Sequence, residues 1–381
     1  MKRLITPVLG AALTACGATE ISTEILEDAE PARSELNVEE TGYPLTIVSW
    51  NIANLAEGPG KMLRGGYERS AQDFDYLRNK IAEMDADVIA FQEIGSAAGL
   101  ENILDLNQYA YAFETRCLEN ESACESDTGD IYTAIAYRRD LADVSVFQLD
   151  QLAILHKDEC GQERPVRGGV GVTFTNNGET VHLPSLHIKA SCKDDRIEPG
   201  TEDDCATQRA QTEALLSWVA SIPAEESVVL AGDFNRKLLD EKDSIRTLMD
   251  NSSGDERFSY LPGKDERACW SRDDYSFDFR ALSAEARQNN PELERQNVTP
   301  QIYTGRSNQE IDFFVVRGAV TEKIERADQI ELTGAYRFRN PGGTLTQCDG
   351  ETILKFEGQD RGLVFGESYP SDHCPIVLQV R

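Results

Sequence analysis

Residues 227–235 read SVVLAGDFN, an apolar run that ends in an aspartate and an asparagine. The run is short and rich in β-branched residues, so it predicts a buried β-strand followed by a polar site. Asp233 and Asn235 flank Phe234, and we therefore expect both side chains to point to the same side. In that position they are suited to orient an attacking water molecule.

Five further polar segments lie at the edges of apolar runs. In chain order they are WNIAN at 50–54, FQE at 91–93, SLHIK at 185–189, IDFF at 311–314 and SDHC at 371–374. Asn51 and Glu93 follow their runs, as Asp233 does. Asp312 and His373 instead lie at or before the start of theirs. All of these side chains can meet at one edge only if the last two strands run antiparallel to the others, so we expect mixed sheets.

The carboxylate and amide residues among these segments fit a hard divalent cation. Mg²⁺, or Mn²⁺ in its place, takes oxygen ligands and needs only one or two protein carboxylates beside a substrate phosphate. Glu93 is the best candidate for the first ligand, with Asn51 and Asp372 in support. Such a cation can polarise a phosphoryl oxygen or acidify a bound water.

The histidines supply groups for acid–base chemistry. In-line attack by water needs a general base, and the unperturbed pKa of histidine is about 6.5. We expect His373 to be this base and Asp312 to fix its tautomer. His187 and Lys189 lie two residues apart on a predicted strand, so both are expected to face the phosphate and neutralise its charge. Tyr132 is a further candidate phosphate contact, with a packing role as the alternative.

Taken together, the segments resemble the motifs of a known family. WNIAN, FQE, HIK, GDFN, IDFF and SDHCP are similar, in order, to the motifs of the endonuclease/exonuclease/phosphatase superfamily, which includes nucleases, sphingomyelinases and inositol-polyphosphate phosphatases. The resemblance covers residues 44–381. It implies an α+β fold: a four-layer α/β/β/α sandwich of two mixed β-sheets with helices outside. It also implies metal-dependent hydrolysis of a phosphoester.

The resemblance assigns roles by position. The metal residues that it implies are Asn51 and Glu93, with Asp372 either metal-linked or structural. The catalytic residues that it implies are His187 and Asn235 at the phosphate, Asp233 for orienting the nucleophile, and Asp312 paired with His373.

Charge narrows the range of substrates. The chain of 381 residues is long enough for one large α/β unit, and its formal net charge is −29. The sequence has no basic stripe of the kind that nucleic-acid-binding proteins usually carry. We therefore expect weak, salt-sensitive DNA binding or a smaller phosphodiester substrate.

The N-terminus has the form of a bacterial export signal. A basic start, MKR, precedes an apolar stretch shorter than the roughly 20 residues of a spanning helix. The sequence LTAC at 13–16 resembles a lipobox, so we expect residues 1–15 to be a lipoprotein signal peptide and Cys16 to carry lipid. An ordinary secretory signal is the alternative. The expected location is the cell envelope, at the outer membrane in a Gram-negative source, and otherwise the periplasm or the outside.

After the leader, the sequence predicts a tether and then one domain. Residues 16–43 are acidic and poor in aromatic residues, which predicts a disordered tether before a domain at 44–381. Apolar residues at helical spacing predict helices at 68–84 and 207–222. Asn177-Gly178 predicts a hairpin turn between two strands.

Cysteine content agrees with an oxidising compartment. Of nine cysteines, eight remain once Cys16 is assigned to lipid. Local spacing predicts the disulfides Cys117–Cys124 and Cys192–Cys205. A zinc site is the alternative, but the sequence has no C-x-x-C pair. The acidic residues between Cys192 and Cys205 fit either a structural Ca²⁺ or a solvated loop.

Three functional hypotheses remain open. The first is a divalent-metal-dependent phosphodiesterase or nuclease that acts outside the cytoplasm. The second is a phosphomonoesterase or lipid phosphodiesterase, of the inositol phosphate or sphingomyelin type, on the same scaffold. The third is a non-catalytic envelope binding module, which the presence of every ionisable motif residue argues against. We expect a monomer held at the membrane by its lipid.

Overall fold

Two six-stranded β-sheets pack face to face in the computed structural model, and helices cover both outer surfaces. The structure describes residues 44–118 without 62 and 64–68, 130–192 without 158–160 and 162, 204–266 without 253–256, 310–346 without 331, 333 and 334, 353–365, and 371–381 without 372. Within 335–346 and 353–365 only the backbone is described. All of these residues belong to one unit, Gly42–Arg381. The predicted α+β sandwich is confirmed.

The elements are numbered in chain order. The strands are β1 (Leu45–Leu55), β2 (Val88–Ile94), β3 (Tyr109–Phe113), β4 (Tyr132–Arg138), β5 (Ser145–Gln148), β6 (Leu155–Lys157), β7 (Glu163–Pro165), β8 (Val170–Asn176), β9 (Glu179–His187), β10 (Ser227–Asp233), β11 (Ser259–Leu261), β12 (Asp312–Arg317), β13 (Ile324–Gln329), β14 (Ala335–Thr346), β15 (Ile353–Phe365) and β16 (Ile376–Val380). The α-helices are α1 (Ala71–Met84), α2 (Ala97–Glu101), α3 (Thr115–Leu118), α4 (Asp204–Ser221) and α5 (Ser244–Ser252). Short 3-10 helices lie at Asp150–Leu152 and Ala319–Lys323.

Both sheets mix parallel and antiparallel neighbours. The first has the order β13-β16-β1-β2-β4-β3 and the second the order β11-β12-β10-β9-β8-β5. β1 and β2 are parallel, as are β9 and β10. β16 runs antiparallel to β1, and β12 runs antiparallel to β10. These directions are the ones that the positions of the polar segments required.

Apolar side chains fill three layers of core. The inter-sheet layer includes Ile47, Val229 and Phe314. Helix α1 packs Leu77 on the first sheet, and α4 packs Leu215 on the second. Each large apolar side chain buried in this way contributes roughly 1.5–3 kcal/mol. The three layers between four layers of secondary structure hold the strand ends in fixed positions.

Strand alternation explains why the polar segments face the space between the sheets. Val229 of β10 lies in the inter-sheet core, and Asp233, four residues later, continues the same face. By the same alternation, the faces of β1, β9 and β12 carry Asn51, His187 and Asp312. The site therefore forms at the rim where the inter-sheet core ends.

Local signals in the sequence set the helix and turn boundaries. A capping box at Ser70 starts α1, so the helix predicted at 68–84 begins three residues later than expected. The helix predicted at 207–222 is α4, which begins three residues earlier. Asn177-Gly178 joins β8 to β9 with φ of 49° and 78°, as a tight hairpin requires.

Several sequence predictions concern residues outside the described part of the chain. These are the signal peptide at 1–15, Cys16, the tether at 16–43, Cys124, Asp372 and the acidic residues at 194–203. The structure contains the expected disulfide between Cys192 and Cys205, and Cys117 is also disulfide-bonded. No helix within the described ranges is both long and apolar enough to span a membrane.

Gly232→Ala should destabilise this fold. Gly232 has a φ of +156°, and a Cβ there would lie 2.0 Å from the carbonyl oxygen of Leu186 in the neighbouring strand. Backbone cannot move aside without breaking the β9–β10 pairing, so we expect the free energy of unfolding to fall by about 2 kcal/mol or more. Chemical denaturation measures this loss. Gly58→Ala, where the nearest atom is 3.5 Å from the added Cβ, is the control, and equal stability of the two variants would contradict the account.

Candidate active site

A β-bulge turns Glu93 toward the other polar segments. Pairing jumps from Phe91 to Ile94 in β2, whereas only one residue intervenes in β4. Glu93 has a φ of +61°, in the left-handed region that non-glycine residues rarely adopt. Regular alternation would place Glu93 on the face of Phe91, which packs in the helix-side core. The bulge therefore brings this carboxylate to the site.

A buried arginine holds the turn at 52–54. Ala53 and Asn54 also have positive φ, 56° and 57°. Arg69, which is 1% exposed, donates hydrogen bonds to all three carbonyls of the turn, at 2.8 Å to Ala53 and 3.1 Å to Asn54. The N–H of Asn54 in turn donates to Oε2 of Glu93 at 3.0 Å. This support stabilises backbone that would otherwise be strained.

Asn51 links the carboxylates of the two sheets. Its Nδ2 donates to Oε1 of Glu93 at 3.2 Å and to Oδ2 of Asp233 at 3.1 Å. Its Oδ1 accepts from the N–H of Ala53 at 2.9 Å. The amide oxygen is thus turned toward the backbone, and the amide NH₂ faces the carboxylates.

Asp233 is an acid of the cluster with a strongly raised pKa. Burial, with the nearby negative charge of Asp312, raises its pKa to about 7, against the smaller opposing effect of His373. Oδ1 of Asp233 accepts from the N–H of Asn235 at 2.8 Å, and the side chain of Asn235 donates to the carbonyl of Ile188 at 3.0 Å. The carboxyl group is therefore held rigidly and can gain or lose a proton near neutral pH.

His373 and Asp312 form the contact that the sequence predicts. Nδ1 of His373 lies 2.8 Å from Oδ2 of Asp312, and Nε2 lies 4.0 Å from Oδ2 of Asp233. Trp50 donates from Nε1 to the carbonyl of His373 at 3.1 Å. With Nδ1–H donated to Asp312, the ring directs Nε2 at the cluster.

His187 differs from its expected role as a positive clamp. Its Nε2 lies 3.5 Å from Oδ2 of Asp233 and 3.8 Å from Oε1 of Glu93. Burial, with the positive charge of Arg167, holds the pKa of His187 well below its usual value. Nδ1 is buried and has no hydrogen-bond partner among the described residues. Burial and the neighbouring cation thus favour the neutral imidazole of His187, with its Nε2 directed at the two carboxylates.

Lys189 and Tyr132 make other contacts than the ones expected. β9 ends at His187, so the alternation that was to carry Lys189 onto the same face stops before it. The Nζ atom of Lys189 lies 2.6 Å from Oδ1 of Asp204, which already balances its charge. Tyr132 is buried, with the guanidinium of Arg116 5.3 Å from its ring centroid. Its environment fits the packing alternative.

Arg167 is a residue at the site that the motifs did not reveal. Its Nε and Nη2 lie 3.3 Å and 3.5 Å from the carbonyl oxygens of His187 and Ile188. Glu93 and Asp233 act on it electrostatically, but no carboxylate in the described part of the chain forms an ion pair with it. In the sequence, Arg167 belongs only to a small basic cluster, and its place at the site follows from its tertiary contacts with the end of β9.

The donor set fits a hard divalent cation. Asp233, Asp312 and His373 offer ligand atoms within 4.8 Å of one another, and the carboxylate of Glu93 adjoins them through Asn51. The negative charges of Asp312 and Glu93 both raise the pKa of Asp233, so the cluster carries anionic charge that a cation would offset. Carboxylate oxygens are also the ligands that Mg²⁺ and Mn²⁺ prefer.

Solved structures similar to this chain include an endonuclease/exonuclease/phosphatase from Bacteroides vulgatus (15% identity, TM-score 0.47, 89% of this chain and 99% of that one). TDP2 from D. rerio with a single-strand DNA product has 15% identity, a TM-score of 0.48 and the same coverage. Sphingomyelinase C from Streptomyces griseocarneus has 15% identity and a TM-score of 0.46, over 89% of this chain and 100% of that one. A comparison with curated protein sequences gave no match.

The family model gives the decisive result. The model of the endonuclease/exonuclease/phosphatase family matches residues 48–373, which is most of the chain. The matched range includes the first five polar segments and residues 371–373 of the sixth, and enzymes of this family use a divalent metal. The resemblance inferred from the motifs is confirmed: the protein belongs to the endonuclease/exonuclease/phosphatase family and is a metal-dependent phosphoester hydrolase.

Proposed function

We propose that the protein is a divalent-metal-dependent phosphodiesterase of the nuclease type that acts outside the cytoplasm by in-line attack of water. The observation that carries this proposal is the set of groups around Asp233. Its Oδ2 lies 3.1 Å from Asn51, 3.5 Å from His187 and 4.0 Å from His373. A fold does not need so many polar groups at one buried carboxylate, whereas a proton-transfer site does.

Glu93 is the proposed main ligand of Mg²⁺ or Mn²⁺, with Asp372 as a further ligand. When bound, the cation would supply Lewis-acid stabilisation of the phosphoryl and leaving oxygens. Asn51 is better suited to holding the carboxylates than to binding the ion, because its Oδ1 already accepts from Ala53. We therefore propose that Asn51 mainly supports the ligands, and direct binding of the ion through the second lone pair of Oδ1 is the alternative.

Asp233 is the better-placed proton acceptor for the attacking water. Its Oδ2 lies at the centre of the polar cluster, 3.1 Å from Asn51 and 3.5 Å from His187, and burial raises its pKa in the metal-free protein toward neutral pH, where a base must both accept and release a proton. His373, with Asp312 on Nδ1, then places Nε2 toward the phosphate and, in its imidazolium form, can transfer the Nε2 proton to the leaving oxygen. The sequence-based assignment of His373 as the base becomes the alternative, with the two residues exchanging roles.

The phosphate is proposed to lie against Arg167 and His187. Arg167 brings a positive charge that is not neutralised by any described carboxylate, and His187 offers a neutral N–H donor. Preorganised donors of this kind stabilise charge that develops in the transition state. Asn235 holds the ends of β9 and β10 together through Ile188, and so keeps this face in place.

The substrate is proposed to be a phosphodiester that does not require strong polyanion binding. The net charge of −29 repels nucleic acid at long range, so a DNA substrate would be bound weakly and with strong salt dependence. An inositol phosphate or sphingomyelin remains the alternative substrate.

The proposed location rests on the N-terminus and on the disulfide. The leader and the lipobox at Cys16 favour a lipid-anchored envelope protein, and Cys192–Cys205 supports an oxidising compartment. Cys16→Ser should abolish incorporation of labelled fatty acid and release the protein from the membrane fraction. Labelling that persists in this variant would overturn the lipidation.

Hydrolysis should depend on both the metal and the Asp233 cluster. A panel of plasmid DNA, RNA, bis-p-nitrophenyl phosphate, sphingomyelin and inositol phosphates should show diester cleavage with Mg²⁺ or Mn²⁺ and none with EDTA.

His373→Ala and Asp233→Asn should each lower kcat by about 10²–10⁴ because each removes a proton-transfer group. Asp140→Asn, an exposed acid outside the site, is the control. Full activity in folded His373→Ala would contradict the proposed mechanism. Cleavage of a phosphomonoester alone would favour the alternative of a phosphomonoesterase on the same scaffold.

The pH dependence of stability should report the buried Asp233 carboxyl. Its pKa in the folded, metal-free protein is raised to about 7 from 3.8, so this group favours folding below about pH 4 and loses that effect as pH rises through 7. Asp233→Asn removes the titration, so its stability relative to wild type should increase between pH 5 and 8, by an amount on the order of 1–3 kcal/mol. Urea denaturation in EDTA measures this. The same slope in both proteins would show that Asp233 is not perturbed.

A further inference from the structure

The loop at 166–169, which leads into β8, carries Arg167 and is fixed at several backbone atoms. Gln211 of α4 donates from Nε2 to the carbonyl of Arg167 at 3.1 Å. The carbonyl of Gly169 accepts from the N–H of Leu149 at 2.8 Å. The N–H of Gly168 donates to Oε2 of Glu114. Glu114 directly follows β3 of the first sheet, and Oγ1 of Thr133, in β4 of that sheet, lies 3.5 Å from the carbonyl oxygen of Gly168.

Glu114 is a buried carboxylate with a full set of donors. It is 1% exposed and follows the last residue of β3. Oε1 accepts from Nη2 of Arg116 at 2.9 Å and from the N–H of Thr133 at 3.1 Å. Oε2 accepts from Nε of Arg116 at 3.0 Å and from the N–H of Gly168. Four N–H donors therefore converge on the two oxygens, which only a carboxylate can accept.

These contacts tie the two sheets together beside the site. Thr133 lies in β4 of the first sheet and Glu114 directly follows β3 of the same sheet, whereas Gly168 leads into the second sheet. Arg116 extends the tie, because its Nη1 lies 3.5 Å from the carbonyl of Pro165. A Cβ at Gly168 would lie 2.9 Å from Oε2 of Glu114, so a residue larger than glycine would not fit between this backbone and the carboxylate.

We propose that Glu114 is a positioning residue that holds the loop at 166–169 so that the guanidinium of Arg167 stays at the substrate phosphate. The inference rests on the proposed function, in which Arg167 contacts that phosphate. Glu114 is bonded to the residue that directly follows Arg167, and Arg167 is bonded to the carbonyl of His187. A shift of the loop would move the guanidinium while leaving the groups around Asp233 in place.

The test is a double-mutant cycle of Glu114→Gln and Arg167→Ala with bis-p-nitrophenyl phosphate and Mg²⁺. The amide of the first variant turns N–H groups toward N–H donors and should release the loop. Arg167→Ala should lower kcat/KM roughly 10- to 100-fold, and Glu114→Gln roughly 3- to 30-fold, mostly through KM. In the Arg167→Ala background, Glu114→Gln should cost less than about twofold, because its effect passes through the arginine.

A structural role alone would give a different pattern. Glu179→Gln removes a largely buried carboxylate at the far end of β9, where Glu179 pairs with Lys323, and is the matched control for stability. It should lower the melting temperature without changing KM. Additive losses from Glu114→Gln and Arg167→Ala would overturn the proposal, and so would unchanged kinetics in Arg167→Ala.

A second variant and a binding measurement complete the test. If Glu114→Gln does not fold, Gly168→Ala takes its place, because the added methyl would push the loop off the carboxylate. Binding of inorganic phosphate in EDTA, followed by calorimetry, gives a readout that does not depend on turnover. Both variants should weaken this binding non-additively. If wild type lacks hydrolysis but shows this coupling, the proposed function fails while the positioning role stands; phosphate binding that is independent of Arg167 overturns the positioning role itself.

Discussion

The burial of the Asp233 carboxyl is the constraint on which the rest of the site depends. A carboxylate that is 2% exposed is costly unless it is hydrogen-bonded and its charge is balanced. Here the backbone of Asn235 and the amide of Asn51 supply the hydrogen bonds, and His373 supplies compensating charge. Burial still raises the pKa to about 7, which turns an ordinary acid into a group that can exchange a proton at neutral pH.

The sandwich makes this burial possible. Sheet alternation brings polar residues from both sheets to one rim, and the apolar inter-sheet core ends just below them. A buried hydrogen bond also joins the two sheets near this rim: Nε2 of Gln92 in the first sheet donates to Oγ of Ser185 in the second at 3.1 Å. The distance between the sheets is thereby fixed, and so is the distance between Glu93 and Asp233 through Asn51.

Much of this arrangement could be predicted from the sequence. The order of apolar runs and polar ends required mixed sheets, and the pairing of His373 with Asp312 followed from residue types at those ends. Period-two alternation accounts for the position of Asp233, but alternation alone could not have placed Glu93, which a bulge redirects. It also failed for Lys189, because the strand ends two residues earlier.

Other features could not be read from one sequence because they depend on tertiary contacts. Arg167 and Glu114 lie in no motif, and their relation arises from a loop of one sheet meeting a strand end of the other. The pKa of His187 likewise follows from burial beside Arg167, which sequence spacing does not show. In the proposed function, phosphate binding is therefore divided between His187 and an arginine that is distant from it in the sequence but not in the fold.

The central claim is that the carboxylates around Asn51 form a metal-binding centre for phosphodiester hydrolysis. Anomalous diffraction from crystals grown with Mn²⁺ and inorganic phosphate tests it most directly. The account predicts a manganese peak at the carboxylate of Glu93, with phosphate between this ion and Arg167. Absence of manganese from Glu93, or a phosphate bound away from Asp233, His373 and Arg167, would contradict it.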